Sequence, residues 1–159
     1  MAPQSILQPG RSVRADRPRM KLFGLPINHL VIASPRPLAL ASFYESVLGL
    51  ERLYMRQNQE DAATESVWLG NESGPILMIE RATRLQSAPQ DFFEKPSGLY
   101  MIALQISAGD RPAWETHLQK NRVTIVHQTD YTMYFVDPEG NRIGLSWFRA
   151  EEFLRPKPT

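Results

Sequence analysis

The sequence contains no cysteine. This absence excludes disulfide bonds, zinc sites built from thiolates and a cysteine nucleophile, and it fits a reducing cytoplasm. Long apolar runs are also missing: the longest, around residues 76–79 and 99–104, fall far short of the roughly 18 residues that a membrane-spanning helix needs. No phosphate-binding loop, nucleophile elbow or dinucleotide fingerprint is present. We therefore expect a soluble cytoplasmic protein without a membrane partner.

Basic residues are concentrated near the N-terminus. Residues 1–21 carry five basic residues against one acidic residue, which leaves 13 basic and 16 acidic residues for the rest of the chain. Because this segment also has three prolines and no apolar core, we predict a disordered basic tail over residues 1–24, with an organelle transit peptide as the alternative. The rest of the chain is mildly acidic and has no basic stripe, which argues against a nucleic-acid partner.

The remaining length and composition are those of one globular domain. The chain has 159 residues, of which 42% are apolar and 22% are charged. An apolar strand over residues 27–33 precedes a helix over residues 37–48, with Ser34 as an early cap, Pro37 in its first turn and Gly49 at its end. Three strand patterns follow, over residues 52–57, 66–69 and 75–80.

The same order of elements then repeats. A polar linker over residues 82–97 leads to a strand over 99–107, a helix over 111–121 capped by Asp110, and strands over 123–127, 131–136 and 142–147. Residues 67–78 align with residues 134–145 without a gap, with Ile76 above Ile143. The sequence therefore predicts two related βαβββ modules, residues 25–81 and 98–149, and a C-terminal tail over 150–159.

Three segments carry a resemblance to a known family. INHLVIA, FYESVLGLE and YFVDPEGNRIGL resemble the opening and closing signatures of the vicinal oxygen chelate superfamily, which includes glyoxalase I, bleomycin-resistance proteins and extradiol dioxygenases. The resemblance covers about residues 25–149. It implies an α+β fold in which two βαβββ modules lie side by side and form a cupped mixed sheet that holds the ligand.

The resemblance also implies where a divalent metal would bind. Family members hold the ion with side chains from the first and last strands of each module, and these positions correspond to His29, Leu77, Met101 and Gly144 under the alignment above. Only His29 is a good ligand for such an ion. We therefore predict neither a metal nor another cofactor, and a divalent metal that recruits Gln105 or Glu80 stays open as the alternative. Strand alternation predicts that Glu80 points away from the site.

Alternation along the strands predicts a mainly apolar cup with His29 on its wall. His29 is the candidate catalytic residue, as a general base or hydrogen-bonding group, and the competing interpretation is a partly buried histidine tied to the backbone. His117 and His127 have no partners at metal spacing and are expected to face solvent. The candidate cup and ligand-binding residues are Val31, Leu77, Ile79, Met101, Ala103, Gln105, Tyr134, Gly144 and Ser146.

Three kinds of function are compatible with this pattern. The favoured one is binding of a small, largely apolar or aromatic molecule, as bleomycin-resistance proteins do without a metal. The second is an enzyme of the lyase, dioxygenase or isomerase type that uses a nonstandard metal site or metal-free chemistry at His29. The third is a structural role in which an exposed sheet edge forms a homodimer. The sequence specifies neither the ligand nor the reaction.

Overall fold

A computed structural model describes residues 27–59, 62–84, 91–95 and 97–149. The predicted tails over residues 1–24 and 150–159, and part of the predicted linker, lie outside the described residues. The elements are β1 (Leu30–Ser34), α1 (Pro37–Leu48), β2 (Glu51–Gln57), β3 (Thr64–Asn71), β4 (Gly74–Arg81), β5 (Ile102–Gln105), α2 (Arg111–Lys120), β6 (His127–Gln128), β7 (Thr132–Val136) and β8 (Arg142–Ser146).

The strands form two four-stranded sheets of the same topology. The first sheet has the order β1-β4-β3-β2 and the second has the order β5-β8-β7-β6. In each sheet the first strand pairs with the fourth in parallel, and the other pairs are antiparallel. The predicted α+β fold of two βαβββ modules is confirmed.

Helix α1 begins and ends where the sequence predicts, because one residue determines each end. Pro37 occupies the first turn, and Gly49 ends the helix in the left-handed conformation with φ of 67° while its N–H donates to the Glu45 carbonyl oxygen. Ser34 does not cap the helix directly; its hydroxyl accepts from the Arg36 N–H at 2.9 Å. The predicted Asp110 cap of α2 is wrong, because that side chain makes no capping hydrogen bond and a short 3₁₀ turn leads into the helix instead.

Several predicted strands are shorter in the structure. β1 begins at Leu30, and β5 covers only residues 102–105. The strand predicted over residues 123–127 is reduced to His127 and Gln128. The reason is that Val123 still donates its N–H to the Leu118 carbonyl oxygen at the end of α2 and packs on the core, so the chain reaches the edge of the second sheet only near His127.

One hydrophobic core joins the two modules. Helix α1 packs against its own sheet and also contacts the second module, where the Phe43 and Phe135 rings lie 6.5 Å apart. The core thus lies on the helix side of both sheets. On the opposite side of each sheet, called here its open face, the described residues form no helix. Within the described residues, no helix is both long enough and apolar enough to cross a bilayer. The buried apolar core consists of Ile32, Leu40, Ala41, Tyr44, Val47, Val67, Leu69, Leu77, Ile79, Leu118, Met133, Phe135, Ile143 and Leu145.

Candidate functional site

His29 lies over the open face of the first sheet. It directly precedes β1, and strand alternation places it on the same face as Val31, which pairs with Met78 of β4. Met78 in turn pairs with Trp68 of β3. The His29 and Trp68 ring centroids are 4.6 Å apart. Because β4 lies between β1 and β3, these two rings meet above β4, beside Met78.

A short hydrogen bond sets the tautomer of His29. The His29 Nδ1 lies 2.6 Å from the Asn28 Oδ1, and this oxygen can only accept, so Nδ1 carries the proton and donates. In the neutral ring the Nε2 atom therefore carries the lone pair and can accept a hydrogen bond.

The predicted positions of Leu77 and Ile79 on the open face are wrong. Both side chains are buried in the core, with 4% and 0% of their surface exposed. Leu30 pairs with Leu77 just as Ile102 pairs with Ile143, so the structural counterpart of Gly144 is Met78. The alignment made from the sequence is therefore out of register by one residue, which moves every side chain of β4 to the other face.

The prediction that Glu80 points away from the face of His29 is also wrong. Glu80 pairs with Ala33 and lies on the open face, where its carboxylate is 3.9 Å from the Arg56 guanidinium. Ala33 is four residues beyond His29, which corresponds to about 13 Å along a strand. Glu80 thus shares the face of His29 without lying beside it.

The open face of the second sheet brings together most of the predicted ligand-binding residues. Ala103 pairs with Gly144, and Gly144 pairs with Tyr134. A side chain at Gly144 would begin 3.3 Å from the Met101 Sδ and 3.6 Å from the Tyr134 ring. Met101 therefore lies over the glycine and fills the space where a larger residue would stand.

The next row of this face is polar. Gln105 pairs with Ser146, and Ser146 pairs with Thr132. The Thr132 hydroxyl donates to the Ser146 Oγ at 3.0 Å, and the Ser146 hydroxyl donates to the Tyr131 carbonyl oxygen at 3.2 Å. Ser146 is therefore held in place by the sheet, while Gln105 is exposed. These two residues could supply hydrogen bonds to one end of a ligand.

Sequence reasoning missed Arg142 and the linker segment that it holds. Arg142 is 6% exposed, and its guanidinium donates to the carbonyl oxygens of Asp91, Phe92 and Glu94 at distances of 3.0, 3.1 and 2.7 Å. The same group lies 4.6 Å from the centre of the Tyr100 ring. The sequence did contain one signal, which is an arginine within a predicted buried strand. Its partners lie about 50 residues away in the sequence, so no local pattern identifies them.

This linker segment and His127 form an aromatic wall around Tyr134. The ring of His127 stacks on that of Tyr134 at 5.5 Å, and Phe92 lies 5.7 Å from Tyr134. Phe93 contacts His127 at 5.2 Å. The prediction that His127 faces solvent is wrong, since its ring is half-buried in this cluster.

The acidic turn that contains Asp137 and Glu139 in the second module forms hydrogen bonds with the first module. The Asp137 carboxylate accepts from the Tyr44 hydroxyl at 2.8 Å and from backbone N–H groups of its own turn, and Glu139 accepts from the Ser34 hydroxyl at 2.6 Å. Burial, together with the Asp137 carboxylate, raises the pKa of Tyr44 far above its ordinary value.

His117 also joins the modules. Its Nε2 lies 3.1 Å from the Val47 carbonyl oxygen, and the ring is half-buried beside Trp114. The prediction that His117 faces solvent is wrong because this contact draws α2 toward the end of α1. Neither His117 nor the acidic turn contributes to an open face.

The donors at the four family metal positions do not fit a hard divalent ion. With the corrected register these positions hold His29, Met78, Met101 and Gly144, which provide one imidazole, two thioethers and no carboxylate. Ions such as Mn(II) prefer oxygen and imidazole donors over thioethers. In the part of the chain that the structure describes, no three histidine or acidic side chains are grouped so that they could hold a metal.

Comparison with known proteins identifies the family. The model of the glyoxalase/bleomycin resistance protein/dioxygenase superfamily matches residues 26–145. The chain belongs to this superfamily. No curated protein sequence matches the chain.

Solved structures share the superfamily fold. A mutant of the fosfomycin resistance protein FosX from Listeria monocytogenes, in complex with Mn(II) and a dihydroxypropylphosphonic acid, is 13% identical, covers 84% of this chain and all 100% of its own, and gives a TM-score of 0.65. FosX from Mesorhizobium loti is 15% identical and gives a TM-score of 0.62. The match covers 83% of this chain and 98% of the FosX chain. A glyoxalase/dioxygenase from Nostoc punctiforme is 20% identical and gives a TM-score of 0.57. The match covers 91% of this chain and 97% of the Nostoc chain. At this level of identity the likeness establishes the fold alone.

Proposed function

We propose that this superfamily member binds a small, largely apolar or aromatic molecule on the open face of its second sheet. The observation that carries the proposal is the row formed by Ala103, Gly144 and Tyr134. Two of these residues have a minimal side chain, so they form a low, flat floor beside an aromatic ring. A planar ligand can lie on this floor with its edge or face against Tyr134.

Met101 acts as a flexible cover over the floor. Its thioether now occupies the space above Gly144, and an unbranched methionine can turn aside at little cost because it has three rotatable bonds. Burial of roughly 200 Å² of apolar ligand surface contributes about 5 kcal/mol. Because about 5 kcal/mol alone corresponds to a dissociation constant of about 0.2 mM and association also costs entropy, we expect a dissociation constant of about a millimolar.

Binding by this floor needs no divalent metal. FosX from Listeria monocytogenes was solved with Mn(II), whereas in this chain three of the four family positions carry methionine or glycine and only one carries a histidine. Methionine and glycine enlarge the apolar surface and remove the donors that a hard ion requires. The loss of metal-binding side chains at Met101 and Gly144 therefore also creates the apolar floor.

A fluorescent apolar probe, anilinonaphthalene sulfonate, tests the proposal on the full chain in the presence of a chelator. The variant Ala103→Leu fills the floor from an exposed position of β5, and Ala33→Leu makes the same change at an exposed position of β1 on the other sheet. We expect saturable binding that Ala103→Leu weakens by about tenfold, with an effect below about twofold for Ala33→Leu. Equal effects of the two substitutions, or binding that does not saturate, would refute the proposal.

An enzymatic role is the second candidate, and the tautomer of His29 favours it. A fixed Nε2 lone pair on an exposed sheet face can act as a general base. The substitution His29→Gln would then abolish turnover of a bound substrate without changing the binding of anilinonaphthalene sulfonate to the second sheet. If turnover by the metal-stripped protein is unchanged by His29→Gln, this candidate fails.

A homodimer is the partner that the exposed edge of the first sheet favours. Every residue of the edge strand β2 is exposed, including Leu53 at 44% and Tyr54 at 59%. Edge strands with apolar side chains pair readily with another strand. Sedimentation of the parent and of Leu53→Lys tests this point, because the charge would convert a dimer to a monomer and would leave a monomer unchanged.

A further inference from the structure

Arg142 is a buried cation whose charge is not neutralised by any side chain in the described part of the protein. Only 6% of the residue is exposed. Its guanidinium donates through Nε and Nη2 to three backbone carbonyl oxygens, which are neutral acceptors. None of the ion pairs among the described residues includes it. Because charges removed from water are normally paired with an opposite charge, an anion at this guanidinium would be stabilising.

One nitrogen of the guanidinium is available to a ligand. Nη1 carries two N–H groups and has no acceptor among the described residues, since the three hydrogen bonds of Arg142 leave from Nε and Nη2. No fully buried side-chain nitrogen or oxygen in the described ranges lacks a partner. Nη1 therefore retains contact with solvent, and an acceptor from outside the protein can reach it.

Arg142 lies at one end of the apolar floor. It precedes Gly144 by two residues on β8 and shares its open face, which separates the two Cα atoms by about 7 Å. The ring of Phe92 lies between the charge and the floor, 5.7 Å from the guanidinium carbon and 5.7 Å from the ring of Tyr134. The polar row of Ser146, at the opposite end of the floor, is uncharged. The floor thus has a cation at one end only.

We propose that the ligand of this floor is an aromatic carboxylate, whose ring lies on the floor and whose carboxylate accepts from the Nη1 of Arg142. The inference rests on the proposed function, because it names the class of molecule that the same floor binds. A carboxylate on an aromatic ring extends from the edge of that ring, so in a ligand that lies flat it points along the floor toward the guanidinium.

The energetics favour an anion over a neutral ligand of the same shape. The guanidinium is already removed from water in the free protein, so the cation loses little further hydration when the ligand binds. A hydrogen bond between two charged groups is also about twice as strong as one between neutral groups. A neutral aromatic ligand would gain only the apolar contacts of the floor.

Two probes of nearly the same shape and different charge test the proposal. 2-Naphthoate is an anion at neutral pH, and 2-naphthamide is its neutral counterpart. Each is titrated into the metal-stripped full chain while the NMR signals of labelled arginine side chains are recorded. The test variant is Arg142→Gln, and the control is Arg111→Gln, which removes the same charge from a guanidinium that lies over Trp147 instead. Circular dichroism shows whether each variant is folded.

We expect the parent to bind 2-naphthoate at least about tenfold more tightly than 2-naphthamide. Only 2-naphthoate should shift the guanidinium signal of Arg142. In Arg142→Gln the ratio of the two affinities should fall to about twofold or less, whereas Arg111→Gln should keep the parental ratio. The ratio reports recognition of the charge, because loosening of the linker segment in Arg142→Gln would weaken the binding of both probes alike.

The possible failures can be told apart. If the parent binds both probes equally, the floor remains and the recognition of an anion is refuted. If neither probe binds, the proposed function fails and this inference fails with it. A preference for 2-naphthoate that persists in Arg142→Gln, or that Arg111→Gln also abolishes, overturns the role of Arg142. If Arg142→Gln does not fold, the parent decides, since an Arg142 signal that 2-naphthoate leaves unshifted refutes the proposal.

Discussion

The hydroxyl of Tyr44 donates a 2.8 Å hydrogen bond to the Asp137 Oδ2, and this bond joins the helix of the first module to the turn of the second. Tyr44 is 1% exposed and Asp137 is 3% exposed, so neither group can exchange its partner for water. Asp137 also accepts from the Asn141 side chain at 2.7 Å. The two modules are thus fixed to each other through a buried polar pair within the apolar core.

Removal of this hydroxyl should destabilise the protein. For Tyr44→Phe we expect a loss of about 1–2 kcal/mol in the free energy of unfolding, because one buried hydrogen bond to a charged group disappears while Asp137 keeps its other donors. Tyr54→Phe is the control, since the Tyr54 side chain is 59% exposed, and its effect should stay within about 0.5 kcal/mol. Urea unfolding measures both. Equal losses in the two variants would show that the pair contributes nothing.

The same pair predicts a loss of stability at alkaline pH. The pKa of Tyr44 is raised in the folded state by burial and by Asp137, so the folded protein holds this proton more tightly than the unfolded chain does. The stabilisation is complete below the unfolded pKa of about 10 and is lost as the pH rises above it, at up to about 1.4 kcal/mol per pH unit. Melting temperatures above about pH 10 should therefore fall more steeply for the parent than for Tyr44→Phe. If the melting temperatures of the parent and of Tyr44→Phe fall equally steeply with pH, ionisation of Tyr44 is not the cause.

Arg142 should control how firmly the linker segment is held. Arg142→Lys keeps the charge but cannot reach three carbonyl oxygens at once, so we expect a loss of about 2–3 kcal/mol in stability. Chymotrypsin should cleave after Phe92 or Phe93 faster than in the parent, because both are held beside Tyr134 or His127. Arg52→Lys, at a surface ion pair with Glu45, is the control and should change neither quantity appreciably. Unchanged cleavage in Arg142→Lys would mean that other contacts hold the segment.

A site for a divalent metal ion should be restorable on the second sheet. The Met101 Sδ lies 3.3 Å from where a Gly144 side chain would begin, so M101H and G144E together would place an imidazole beside a carboxylate. The first substitution also removes the sulfur that would obstruct the second. We expect the double variant to gain affinity for Zn(II), Ni(II) or Mn(II) by at least about tenfold. Equal binding by the parent and the double variant would contradict the loss of the site.

The position of His29 relative to that site can be measured in the same background. If His29 converges with residues 101 and 144, addition of His29→Gln to the double variant should lower the gained affinity again. If the affinity is unchanged, the first and second open faces do not share a site. Either result defines how the two sheets are arranged around a ligand.

The sequence was sufficient for the fold because its local signals are strong. Pro37 and Gly49 fix the ends of α1, and the repeated order of elements reveals the two modules. The register of β4 was not fixed by the apolar pattern, because residues 76–79 are apolar without interruption and fit either face. The turn glycines contain the missing information: Gly74 and Gly140 both have positive φ, 122° and 84°, and alignment of these two glycines gives the correct register.

The composition of the site was only partly predictable. Met101, Ala103 and Gly144 were predicted to share one face because they occupy family positions or alternate with them, and the structure places them together on one face. The aromatic wall was missed because it depends on contacts between Arg142 and residues of the linker about 50 positions away. Such contacts follow from how the linker folds back, which depends on tertiary packing and not on strand periodicity.

The most direct measurement is a calorimetric titration of the metal-stripped full chain with anilinonaphthalene sulfonate, repeated after addition of Mn(II). Our account predicts saturable binding at one site per chain, with the same dissociation constant in both titrations, because the floor at Ala103 and Gly144 supplies no ligand for a hard ion. Binding that appears only after Mn(II) is added would contradict this account and would show that the protein is a metal-dependent member of the superfamily.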